Sequence, residues 1–156
     1  RLKFPGRALW AVFQPHTFSR TAALLDGFAS AFGDADHVLV TSVYAAREQN
    51  TFGVSGSDVV ARMVSPDSAV GHAASQPPGG EIVQHPDAQY VASLDSAVTV
   101  LLERVRPGDV IMTLGAGDGY LVGERVLEGL KDRENGGSPG PDGAWSGERA
   151  TCRECP

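Results

Sequence analysis

An α/β domain with a mostly parallel sheet flanked by helices is the fold this sequence predicts. Two observations carry that expectation. Short apolar runs rich in β-formers alternate with segments whose apolar residues recur at helical spacing. The chain has 156 residues, 42% hydrophobic and 21% charged, which suits one domain able to bury a core of its own.

The first strand is Ala8–Gln14 (ALWAVFQ), bounded by Gly6 and Pro15. Leu24, Leu25, Phe28 and Phe32 then share one face of a helix spanning Thr21–Phe32, with Ser19 as its expected N-cap. His37–Val43 (HVLVTSV) is a second buried strand. Ser57–Val64 reads as a short helix that Ser57 caps and Pro66 ends. Ser65–Gly80 holds three prolines and three glycines without apolar period and reads as loop, and Glu81–Gln84 as a short strand. Leu94–Arg104 is a helix with Ser93 as cap and Leu94, Ala97, Val98, Leu101 and Leu102 on its apolar face. Asp109–Leu114 (DVIMTL), after Pro107-Gly108, is a strand, and Tyr120–Leu130 the helix that follows it. From about Asp132 onward the chain is Gly, Pro, Ser and charge, the composition of a disordered tail, so the expected domain is 1–131 and the expected tail 132–156.

Composition excludes several function classes. The formal net charge is -6, with 13 Lys+Arg against 19 Asp+Glu, so no field favours nucleic acid or an anionic membrane surface. The only two cysteines, Cys152 and Cys155, lie in the last five residues and cannot staple a secreted scaffold. The longest apolar runs, Ala8–Phe13 and Val110–Leu114, fall far short of the roughly 20 apolar residues that span a bilayer. No signal sequence leads the chain, so the expected protein is soluble and cytoplasmic. It opens on Arg1 rather than Met, as a segment of something longer would.

In an open parallel sheet, ligands bind outside the carboxyl ends of the strands. Three loops leave those ends here. The first, Gln14-Pro15-His16-Thr17-Phe18-Ser19-Arg20-Thr21, packs a histidine, an arginine and three hydroxyls into the turn entering a helix. Two readings of it are open. Helix N-terminal N–H groups and Arg20 grip a carboxylate or phosphate together, or Ser19 and Thr21 merely cap while His16 and Arg20 are solvated. The second, Tyr44-Ala45-Ala46-Arg47-Glu48, brings another arginine to the same edge, either as a ligand or as a surface charge beside Glu48. The third, Gly115-Ala116-Gly117-Asp118-Gly119, is glycine-rich enough to let a ligand approach the backbone. It does not complete Gly-x-Gly-x-x-Gly, because Tyr120 stands at the last position. No Gly-x-x-x-x-Gly-Lys-Ser/Thr loop occurs, and His16, His37, His72 and His85 lack metal-ligand spacing. The residues alone therefore contain no complete catalytic machine and no metal site.

AVFQPHTFSRT, TSVYAARE with GVSG shortly after, and MTLGAGDGYLVGE, in that order over roughly Leu2–Leu130, resemble the C-terminal domain of the Mur ligases. The resemblance implies a Rossmann-like domain, the third of three. The other two, partners in the same ligase, would hold a UDP-sugar and ATP with magnesium. It also implies formation of an amide bond through an acyl phosphate. The wording of the first motif favours the branch that adds L-alanine to UDP-N-acetylmuramate in peptidoglycan synthesis. D-glutamate- or diamino-acid-adding branches stay open, as does a stand-alone Rossmann-type nucleotide-binding module. By the family pattern His16, Thr17, Ser19, Arg20, Tyr44 and Arg47 face the amino acid, while Gly115, Ala116, Gly117 and Asp118 line the cleft. The domain alone is expected to bind no cofactor and to be inactive.

Overall fold

A computed structural model describes residues 1–64 and 87–134. Strands β1 (Leu9–Gln14), β2 (His37–Val40), β3 (Ala88–Tyr90) and β4 (Val110–Gly115) form one parallel sheet in the order β3-β2-β1-β4. Helices α1 (Phe18–Ala23), α2 (Leu25–Ser30), α3 (Gly56–Val64), α4 (Leu94–Arg104) and α5 (Tyr120–Glu134) connect and flank the strands.

β1 is buried along its whole length because both faces of the sheet are covered. Its alternate residues divide between two cores. Trp10 and Val12 join Leu39, Leu101, Val122 and Val126 under α4 and α5. Ala11 and Phe13 join Val38, Val40, Phe32, Val59 and Met63 under α2 and α3. Leu101 and Val126 are fully buried, so truncating Leu101 to alanine costs on the order of 2–5 kcal/mol.

The strand order also places the site. From β1 the chain moves through α1 and α2 to β2 on one side, whereas β4 joins the other side of β1. The sheet order therefore reverses between β1 and β4, where Gln14 pairs with Gly115, the point at which open parallel sheets generally bind ligands.

Several elements differ from the sequence expectation. The helix expected over Thr21–Phe32 is two short helices kinked at Leu24, whose φ of -115° and ψ of 20° leave the helical region. Leu24 is 43% exposed rather than core, and the kink turns Leu25, Phe28 and Phe32 toward the sheet face that carries Phe13. β2 ends at Val40 rather than Val43. α3 starts at Gly56, and its cap is Ser55, whose amide and hydroxyl both donate to Asp58. β3 was not expected: three residues, two of them exposed, carry no periodicity. α5 runs to Glu134, past the expected boundary at 131, and Arg133 in its last turn donates to the Leu102 carbonyl. The α4 reading agrees with the structure to the residue, including the Ser93 hydroxyl that accepts from the Ser96 amide. The loop at Ser65–Gly80, the strand at Glu81–Gln84, the stop at Pro66 and the cysteines all lie outside the described residues. Among the described residues no helix is long and apolar enough to cross a membrane.

Candidate functional site

The three loops leaving β1, β2 and β4 touch one another. His16 and Tyr44 form a parallel bridge, and the Tyr44 amide donates to the Pro15 carbonyl at 2.8 Å. Their rings stack with centroids 5.6 Å apart and planes 16° from parallel. The other link runs to the glycine loop. A Cβ on Gly117 would lie 2.7 Å from Tyr44 Cδ2 and Cγ and 2.8 Å from Gln14 Oε1, so only glycine lets this loop lie against the tyrosine. Gly115 has φ +145°, and a Cβ there would stand 2.6 Å from the Gln14 carbonyl oxygen. Tyr44 thus joins the loop after β1 to the loop after β4.

The third link is Glu48. Its Oε1 accepts from the Ser19 hydroxyl at 2.6 Å and its Oε2 from the Ser19 amide at 2.9 Å. These bonds, the hydroxyl first, hold the Glu48 carboxyl below its ordinary value. α1 has no acidic residue in its first turn, so its N-terminal amides are met by a carboxylate from another loop.

That contact corrects one expectation. Ser19 is not the N-cap: Thr17 stands at the cap position and makes no side-chain capping bond. The Thr17 hydroxyl lies 3.1 Å from the Ser19 hydroxyl, and Thr21, fully buried, donates back to the Thr17 carbonyl at 2.6 Å. The first turn of α1 already carries a negative charge of the protein's own. An incoming anion must therefore be met by side chains.

Two arginines stand beside this contact, Arg20 next to Ser19 and Arg47 next to Glu48, both exposed. Neither guanidinium takes part in a hydrogen bond or ion pair among the described residues, and Glu48 gives both its oxygens to Ser19. Ala46, at φ 53°, is the one non-glycine residue with positive φ among the described residues, and it sets the turn from which Arg47 projects.

The glycine loop differs from its sequence reading in what approaches it. Gly117 is packed by Tyr44 and Gln14 rather than left open to a ligand, while Ala116 and Asp118 are exposed on the loop's outer side. The Asp118 and Gly119 carbonyls accept from Leu121 and Val122 and start α5. Gln14 is 7% exposed, and its Oε1 has no hydrogen-bond partner among the described residues.

Sequence reasoning missed Gln14 and Glu48. The sequence places Gln14 at the end of a strand and the start of the first loop but gives it no role of its own. Glu48 was read as a neighbour of Arg47, although a helix lacking any acid in its first turn was a signal that a carboxylate would arrive from elsewhere. Among the described residues no group of three His, Cys, Asp or Glu side chains could hold a metal ion.

Comparison with known proteins assigns the family. The family model described as "Mur ligase, glutamate ligase domain" matches residues 1–117. A UDP-N-acetylmuramate--L-alanine ligase of Frankia alni is 46% identical over 132 residues, covering 85% of this chain and 21% of that protein. Similar relatives of the same name occur in Gloeobacter violaceus, 44% identical over 74% of this chain and 21% of that protein, and in Alkaliphilus metalliredigens, 37% identical over 80% and 23%. The chain thus spans only a fifth to a quarter of the length of these relatives. With a matching family model over three quarters of its length and the predicted parallel α/β architecture, the chain belongs to the Mur ligase family, as its glutamate ligase domain.

Proposed function

We propose that this chain is the amino-acid-presenting domain of an ATP-dependent ligase that joins L-alanine to UDP-N-acetylmuramate in peptidoglycan synthesis, and that it is inactive without the rest of that ligase. The observation that carries the reading is the convergence of three loops at the β1/β4 switch point, beside two arginines without partners among the described residues. The names of the relatives carry the choice of L-alanine, since arginines would serve the carboxylate of any amino acid.

The chemistry of the substrate suits this arrangement. An amino acid must present a neutral amine to an activated carboxyl while its own carboxylate is held aside. Arg20 and Arg47 hold that carboxylate, and the gain is mainly positional. His16, Thr17, Ser19 and Tyr44 form the wall beside it, and Gly115, Ala116, Gly117 and Asp118 the opposite lining. A methyl side chain gives a pocket little to grip, so discrimination against glycine or serine is shallow, on the order of 1–3 kcal/mol.

ATP and magnesium are assigned mainly to the rest of the ligase, together with the UDP-sugar: this sequence holds no Gly-x-x-x-x-Gly-Lys-Ser/Thr loop, and among the described residues no group of three His, Cys, Asp or Glu side chains could hold a metal ion. A ligase that consumes ATP and a nucleotide sugar is proposed to work in the cytoplasm, where both are held.

The test is kinetic. In the ligase that contains this chain, Arg20→Ala raises KM for alanine about ten- to a hundred-fold and lowers kcat, as loss of a charge-assisted hydrogen bond of about 1.5–3 kcal/mol predicts. Arg47→Ala acts mainly on KM. Wild-type kinetics in both variants would overturn the assignment.

A further inference from the structure

Glu48 is anchored across two loops by a pair of hydrogen bonds, and nothing in the proposed reaction uses it. A surface carboxylate beside an arginine ordinarily pairs with it or is solvated. Here it reaches 29 residues back along the chain to accept two hydrogen bonds from a single serine, at 2.6 and 2.9 Å. Arg20 follows that serine in sequence, and Arg47 precedes the glutamate. The two bonds therefore fasten the backbone that carries one guanidinium to the backbone that carries the other. The remaining link between these loops is the His16–Tyr44 bridge, three residues before Ser19 and four before Glu48. Without the glutamate contact, the segments bearing the arginines are joined only through that earlier point.

We propose that Glu48 is a positioning residue, whose carboxylate clasps the loop after β2 to the first turn of α1 and so fixes the spacing at which Arg20 and Arg47 meet one amino-acid carboxylate. This rests on the reading of the site given above. Two properties suit Glu48 to the task. As a charged acceptor with two oxygens it gives each donor of Ser19 an oxygen of its own, whereas an amide side chain offers both donors a single, neutral oxygen. By keeping both oxygens on Ser19 it leaves the arginines available for the substrate, while its charge offsets part of the repulsion between two neighbouring cations.

Two measurements test it. In the 156-residue chain, Glu48→Ala should speed hydrogen exchange at the Ser19 amide at least tenfold relative to wild type while leaving the amides of β1 unchanged. In the ligase that contains the chain, the same variant should raise KM for alanine about tenfold. KM for ATP should stay within twofold and kcat within threefold. Glu48→Gln, which retains one acceptor for Ser19, should fall between alanine and wild type in both measurements. Unchanged Ser19 exchange, an unchanged KM for alanine, or a fall in kcat and Tm with both KM values raised in parallel would each overturn the proposal. The failure of the underlying reading looks different. A wild-type ligase without alanine-dependent ADP release removes the amino-acid role, and slow Ser19 exchange in Glu48→Ala would still decide the clasp by itself.

Discussion

The two ends of the sheet handle charge in opposite ways. At the amino ends of the strands, one cluster of charged groups is paired within the protein, although the Arg7 and Arg106 side chains have no partner among the described residues. Asp87 bonds to both His37 and Arg104. His37 stacks on Trp10 at 4.0 Å between centroids, and the Arg104 guanidinium sits 5.0 Å from the centre of the same ring. The Trp10 indole N–H and the Arg106 amide both donate to Asp109, and the Leu9 amide and Arg1 both reach Asp36. At the carboxyl ends the loops are held by a stacked pair, a glycine contact and one carboxylate, and the two arginines are without protein partners among the described residues. One end is built around an internally paired cluster; the other carries the two arginines proposed above to hold an amino-acid carboxylate. The lesson is that pairing, more than the mere presence of charge, separates a stabilising cluster from a binding edge.

The largest expected effect lies at the closed end. Trp10 is 2% exposed and meets His37, Arg104 and Asp109 of that cluster, so Trp10→Ala should cost about 3–5 kcal/mol in denaturant unfolding. At temperatures where the variant remains folded, KM for alanine in the ligase should stay within twofold. A large KM change there would break the division between the two ends.

Next in size is Gly117→Ala at the open end. The added methyl meets the Tyr44 ring and Gln14 below 3.0 Å, so the loop must move. The expected cost is about 1–3 kcal/mol, now accompanied by a rise in KM for alanine. Wild-type stability together with wild-type kinetics would show that Tyr44 does not join the loops as described.

The smallest effect concerns acid. Partial burial pushes the Asp87 carboxyl up, but the hydrogen bonds from His37 and Arg104 outweigh it and leave it below its ordinary value of 3.8. A carboxyl held low when folded stabilises the protein above its unfolded value and loses that contribution as pH falls through the folded one. Stability should thus be flat with respect to this group from neutrality down to about pH 4 and decline below it. The side chain is 38% exposed, so the whole contribution is about 1 kcal/mol or less after screening. Asp87→Asn should flatten the acid limb by that amount. An acid limb unchanged by the substitution would remove Asp87 from the cluster.

How much of this was legible beforehand depended on range along the chain. α4 could be read to its last residue because its apolar period, its Ser93 cap and its Arg104 terminus are local features. β1 was legible because a strand buried on both faces leaves a continuous apolar run, and β4, a half-exposed edge strand, because its apolar run follows the Pro107-Gly108 turn. The kink at Leu24 was not, since periodicity alone ran through it. β3 was not, because three residues gain strand geometry only by pairing with β2. At the site, the residue types at the edge and the loops that carry them were visible in the motifs. The occupant of the first turn of α1 was not, because Glu48 lies 29 residues from its partner.

By itself, the sequence determined the fold class, the alternation of strands and helices, and the residue types gathered at the strand ends. These follow from periodicity, capping and turn chemistry, which act over a few residues. Only the tertiary structure decided that Tyr44 packs on Gly117, that Glu48 bonds to Ser19, and that Asp87 gathers His37 and Arg104 at one end while the guanidinium groups of Arg20 and Arg47 at the other have no partner among the described residues. Those contacts join segments tens of residues apart, and the spacing of residues along a chain holds no record of which distant group will meet a given donor.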